Sequence, residues 1–88
     1  MTPLPLSAVL DTAAAPALRD LLVERLSAGE PLLLDGSGVE RIGQACLQVL
    51  IAAETAARAA GVAFAIDAPS PALADMTALA GLSPLLAA

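Results

Sequence analysis

Residues 34–50 read LDGSGVERIGQACLQVL. An apolar run meets a glycine-rich turn, and the turn opens onto a segment with helical spacing. That layout is shared by loops that grip phosphate, so what this turn can hold bears on both fold and function. The apolar run begins upstream, at residues 31–35, PLLLD, a short continuous stretch bounded by turn formers. Such a run is predicted to be a strand buried on both faces, inside a sheet covered by helices. Downstream, residues 45–60 are predicted to form a helix in which Leu47, Leu50, Ile51, Glu54 and Arg58 mix core and surface positions. Gly61 ends it.

Toward the N-terminus, residues 4–10 read as one strand, because Leu4, Leu6, Ala8 and Leu10 alternate with other residues. Pro3 and Pro5 mark it as an edge strand or one with a frayed start. Residues 11–15 form the turn into a first helix, with Pro16 in its first turn, where a missing N–H costs nothing. Leu18, Leu21, Leu22, Arg25 and Leu26 then recur on one helical face. Arg19, Asp20 and Glu24 fall largely on the other, and Gly29 stops the helix.

Toward the C-terminus, residues 62–66, VAFAI, read as a third buried strand. The turn over residues 67–71 leads into a helix at residues 71–80, capped by Ser70 and closed by Gly81. Residues 82–88, LSPLLAA, are an apolar tail that closes the core or covers a dimer face. Strand and helix alternate three times, which predicts one α/β domain over residues 1–88. Its sheet is small and mostly parallel, with helices packed against it through right-handed crossovers.

Composition removes several functions. The chain has 88 residues, 58% of them apolar, but chiefly Ala and Leu with one aromatic, Phe64. Its longest uncharged stretches, residues 42–53 and 76–88, fall short of the ~20 residues a spanning helix needs. Residues 4–10 followed by AAAPA resemble a signal segment, but no basic residue precedes them and Asp11 interrupts the run. The expectation is a cytoplasmic protein with no membrane insertion. Net charge is −5, with no Lys and four scattered Arg, so nothing neutralises a row of phosphates and no nucleic-acid partner is expected. One Cys and no His leave no ordinary metal site and no His-assisted nucleophile, so no metal, no cofactor and no catalytic residue is expected.

The glycine-rich turn fails as a nucleotide site. A P-loop needs a Lys that reaches the phosphates, and the chain has none. A dinucleotide loop needs three glycines at positions one, three and six. Gly36 and Gly38 supply two, Arg41 stands where the third belongs, and Gly43 comes two residues late.

The segment resembles the STAS domain, the fold of anti-anti-sigma factors and of the cytoplasmic ends of sulfate transporters. The resemblance rests on Asp35-x-Ser37-Gly38-Val39-Glu40-x-Ile42, then Leu47-Gln48-Val49-Leu50, with Leu10-Asp11 and Pro16-x-Leu18-Arg19 at the first helix. It covers nearly the whole chain and implies a STAS-like fold. Aligned through Asp35 and Leu47, the family's Asp-Ser-Ser/Thr-Gly falls on Gly43-Gln44-Ala45-Cys46. The phosphoacceptor position is then Ala45, which has no oxygen to take a phosphoryl group, and the acidic residue before it is replaced by Gly43.

What the resemblance implies is a non-enzymatic protein–protein interaction module lacking the usual switch. Its contact surface would be the loop over residues 36–46 and the exposed face of the second helix, with Asp35, Ser37, Arg41, Gly43, Gln44, Ala45 and Cys46 as the partner-binding set. Three partner classes follow: a histidine-kinase-like anti-sigma ATPase, a subunit of a phospholipid-transport ABC complex, or a chemotaxis or other two-component component. The SGVERIGxxCLQVL string is most similar to the last group's STAS proteins. Homo-oligomerisation stays open.

The residues themselves keep two readings each. Ser37 is a turn residue bonding its own backbone, or an alternative phosphoacceptor. Asp35 orders the turn or marks a site at the strand end. Cys46 is a small packed side chain, or a thiol activated by a helix start. Gln44 contacts a partner or caps the helix, and Arg41 is a rim contact or a solvated charge. Ala52, Ala53, Ala56, Ala57 and Ala60 give the second helix a small-residue surface, open to a partner helix or packed on the protein's own sheet.

Overall fold

The structure, a computed structural model, describes residues 3–81. The elements run β1 (Leu4–Pro5), β2 (Val9–Leu10), α1 (Ala15–Ser27), β3 (Leu32–Asp35), β4 (Arg41–Ile42), α2 (Gln44–Ala60), β5 (Phe64–Asp67) and α3 (Pro71–Leu79). A single 3-10 turn, Thr12–Ala14, leads into α1. Strands β1, β3 and β5 form one parallel sheet in that spatial order, and β2 pairs with β4 in a separate parallel ladder. This is the expected α/β architecture of a small parallel sheet with packed helices. The apolar tail, residues 82–88, lies outside the described residues.

Register explains which side is core. Leu4 lies beside Leu34, and Leu32 and Leu34 lie beside Phe64 and Ile66. Parallel neighbours share a face, so these five side chains point together. Leu32, Leu34 and Ile66 are buried there with Leu18 and Leu22 of α1, Cys46, Leu47, Leu50, Ala53 and Ala57 of α2, and Leu73 of α3. Burying a Leu of this kind contributes about 1.5–3 kcal/mol, so this one cluster carries most of the fold's stability.

The expectation of strands buried on both faces is corrected. Leu33 and its register partner Ala65 are only half-buried and take no part in the core cluster, while Pro5 and Asp67 are exposed. The buried residues of all three described helices gather with Leu32 and Leu34. A continuous apolar run therefore made β3 read as doubly covered when its helices serve one face.

The first predicted strand also divides. Pro5 brings no N–H to a ladder, the Leu6 N–H donates to the Asp35 carbonyl at 2.9 Å, and the chain then bends at Ala8. The Ala8 carbonyl accepts from the Glu40 and Arg41 N–H groups at 2.7 and 3.0 Å, so Val9–Leu10 pairs with β4 instead. The alternation survives the break, with Leu6 and Leu10 buried and Pro5, Ser7 and Val9 exposed.

The helices begin and end where the punctuation residues stand. Asp11 Oδ1 accepts from the Ala14 N–H at 3.1 Å, ordering the turn before Pro16. Along α1, Leu18 and Leu22 are buried, Leu21, Arg25 and Leu26 half-buried, and Arg19, Asp20 and Glu24 exposed, as the spacing required. Gly61 closes α2 at φ +73°, a left-handed conformation that costs glycine nothing. No helix of the described residues is long and apolar enough to cross a membrane.

Candidate functional site

The carboxyl ends of β3 and β5 lie side by side, with Asp35 beside Asp67, and the glycine-rich loop starts there. Asp35 turns its carboxylate onto the loop: its Oδ1 accepts the Ser37 N–H at 2.9 Å. This is the turn-ordering reading of both residues. The bond favours the charged form, so the Asp35 carboxyl sits below the usual range, mainly through the Ser37 backbone N–H.

Gly36 is the anchor. Its N–H donates to the Asp67 carbonyl at 2.9 Å and its carbonyl accepts from the Ser70 N–H at 3.0 Å. A Cβ at this position would stand 2.7 Å from Leu73 Cδ2 and 3.3 Å from the Pro69 Cα. The loop therefore needs glycine here for room, not for an unusual dihedral. Further along, Glu40 and Arg41 bond back to Ala8, and the Gly43 N–H donates to the Leu10 carbonyl at 2.9 Å. Val39 and Ile42 point into the core. With both flanks tied down, the loop holds Ser37, Gly38, Glu40 and Arg41 outward as a fixed rim.

Helix α2 starts against this rim without a side-chain cap. Gly43 is the N-cap residue, with extended backbone; its carbonyl accepts the Leu47 N–H at 3.1 Å, but it has no side-chain oxygen for the N–H groups before that. Gln44 is exposed at the first helical position, so it is not the cap. Ala45 is half-buried behind it. Cys46 is fully buried, and its thiol donates to the Asp11 carbonyl at 3.3 Å. Burial first, and the nearby Asp11 charge second, push the Cys46 thiol above its ordinary pKa. A nucleophilic thiol needs the opposite shift, so the small packed side chain is the reading the surroundings support.

Of the seven residues singled out in the sequence, Ser37, Arg41 and Gln44 face solvent, Asp35, Gly43 and Ala45 are half-exposed, and Cys46 is buried beneath them. The second helix divides its alanines: Ala53 and Ala57 pack into the protein's own core, while Ala52, Ala56 and Ala60 are exposed. Residues outside that set also reach the rim. Asp11 and Thr12 line a hollow of about 300 Å3 together with Leu10, Arg41, Ile42 and Gly43. The signal for them was the Leu10-Asp11 pair, which places a turn beside whatever β2 pairs with. Glu40 stood in the Asp35-x-Ser37 string, but its bond to Ala8 had no signal, because the two-residue strand beside it leaves no pattern. Among the described residues no cluster of three or more Cys, Asp or Glu side chains is arranged to hold a metal.

Comparison with curated proteins gave no match. A family model described as "Mlab, STAS domain" matches residues 2–87. The matched span includes the Asp35-x-Ser37 turn, the uncapped start of α2 and the parallel sheet that positions both. Nearly every residue of the chain lies within it, and the chain belongs to the STAS domain family.

Proposed function

We propose that this chain is a protein–protein interaction module of bacterial signalling, of the anti-sigma-factor-antagonist type but without its phosphorylation switch. It works in the cytoplasm beside a chemotaxis or other two-component system. One observation carries the reading: Gly43-Gln44-Ala45-Cys46, where the resemblance puts the phosphoacceptor, has no hydroxyl. Phosphorylation elsewhere in the family adds up to two negative charges at the contact surface and breaks the complex. A chain without the acceptor keeps that surface in its binding form throughout.

The geometry supports contact rather than chemistry. The rim residues Ser37, Gly38, Glu40 and Arg41 face outward on a backbone tied at both flanks, with one anion, Glu40, one cation, Arg41, and the Gln44 amide at the start of a helix without a side-chain cap. The one thiol is buried with a raised pKa. The chemotaxis assignment draws on the similarity of the SGVERIGxxCLQVL string to STAS proteins beside such systems.

The test is capture of partners from the native cell by the tagged protein and by its Gln44→Arg variant, with partners and bait phosphorylation read by mass spectrometry. Partners lost in the variant, with an unmodified bait, are the expected result, and their identity names the pathway. Capture of an anti-sigma kinase or of ABC-transporter subunits instead would replace the chemotaxis assignment. A partner set indifferent to Gln44→Arg would remove the loop from the interface.

A further inference from the structure

Helices α1 and α2 each lead from the β2–β4 ladder to the β1–β3–β5 sheet, so they pack side by side and run in the same direction. On their outer side they leave a groove of about 380 Å3. Arg19, Leu22, Val23 and Leu26 form one wall, and Gln48, Val49, Ala52, Ala53 and Ala56 the other. We infer that this groove seats an amphipathic α-helix of a partner protein, one that carries a carboxylate beside its apolar stripe to meet Arg19. The inference rests on the interaction-module reading and extends it along α2, from the helix start at Gln44 to the outer face that Gln48, Ala52 and Ala56 share with α1.

Three features of the groove select this occupant. First, a furrow between two parallel helices has the shape that a third helix fills by setting its ridge of side chains into it. Ala52 and Ala56, four residues apart and both exposed, let the incoming backbone come close. Val23 is 46% exposed on the facing wall, an aliphatic side chain with no described cover. Second, Arg19 is the one charged residue in the lining. Its ion pair with Asp20, at 3.8 Å and with both side chains more than two-thirds exposed, holds it weakly. A partner carboxylate therefore meets a cation still free to reorient. Third, a second copy fits poorly. Groove against groove leaves two hollows facing each other, and the copy supplies the same alanines and the same cation instead of a ridge and an anion. An acyl chain lying in so open a furrow would keep one side wet.

The test places a photo-crosslinking amino acid at Val23 in the full chain expressed in the native cell, and the crosslinked peptide is sequenced. The expected product joins Val23 to a segment of another protein with apolar residues at helical spacing and an Asp or Glu beside them. Arg19→Glu should lower the crosslink yield about threefold by replacing attraction with repulsion. Ala52→Glu should lower it about tenfold or more, through bulk and like charge in the groove. Circular dichroism checks that both surface variants stay folded. Ser37→Arg, exposed in the loop and off the helix stripe of Gln48, Ala52 and Ala56, separates the two surfaces: a Val23 crosslink that survives it keeps the groove even if the loop reading fails. A crosslink to this same chain, to a lipid, to a segment without helical spacing, or to nothing would overturn the inference. So would a crosslink unchanged by both groove variants.

Discussion

The chain leaves the sheet for a helix at two neighbouring points, and it does so in opposite ways. After β5, three residues suffice: Ala68, Pro69 and Ser70. Ser70 is buried, its hydroxyl accepts the Leu73 N–H at 3.1 Å, and Pro71 stands where no N–H is needed. After β3, eight residues intervene before α2. They turn Ser37, Glu40 and Arg41 outward and end on Gly43, which has no side chain to cap the helix. Both connections start from register-paired aspartates on the same sheet edge. One is closed for stability. The other is long, polar and uncapped, yet its backbone is tied down at Gly36, Glu40, Arg41 and Gly43. This long connection, fixed in place but without a side-chain cap at its helix start, is the surface proposed to meet a partner.

Gly36→Ala should damage this arrangement most, because the two connections meet there. The added methyl collides with Leu73 and with the Pro69 backbone, and a loss of about 2–3 kcal/mol is expected from overpacking. Urea unfolding measures it, and a loss under 1 kcal/mol would mean the two connections are not wedged together at Gly36. Exchanging the caps sharpens the contrast next. Ser70→Ala should cost about 1 kcal/mol, whereas Gly43→Ser should leave stability level or raise it by a few tenths of a kcal/mol. In binding assays the order should reverse, with Gly43→Ser weakening partner capture and Ser70→Ala sparing it.

A smaller effect is expected at Ala68, which holds φ +49°, a left-handed conformation that a Cβ disfavours. Ala68→Gly should stabilise by about 0.5 kcal/mol in the same unfolding assay, the relief of strain outweighing the freer unfolded chain. The smallest concerns pH. The Asp35 carboxyl is lowered in the folded chain, so its contribution is fully present above the unfolded-state value near 3.9 and fades as pH falls through the lower folded one. Unfolding of Asp35→Asn against wild type from pH 6 down to pH 2 should show two curves converging as acid is added. Curves that stay parallel would mean the Ser37 bond does not favour the charged carboxylate.

Much of this was legible beforehand, and particular residues show why. Gly29, Gly61 and the Ser70-Pro71 pair bound helices because their backbone needs are local. The Asp35-x-Ser37 turn could be read because its hydrogen bond spans two residues. The division of the first strand and the existence of β4 depend instead on Ala8 meeting Glu40 and Arg41 across more than thirty positions of chain. Two-residue strands carry no periodicity to reveal such a meeting. Coverage of the sheet was misjudged for a related reason: Leu33 is as apolar as Leu32 and Leu34, and composition does not say which face the helices choose. The alanines of α2 were ambiguous between core and surface until Ala53 and Ala57 were placed inside.

On the proposed function the contact surface carries no phosphorylation switch. Intact mass of the protein isolated from native cells, taken separately for the partner-bound and free fractions, tests this. A single unphosphorylated mass in both fractions is the expected result. A phosphate confined to the free fraction, on Ser37, Thr12 or any other hydroxyl, would contradict the claim, because it would show a working switch at a different residue.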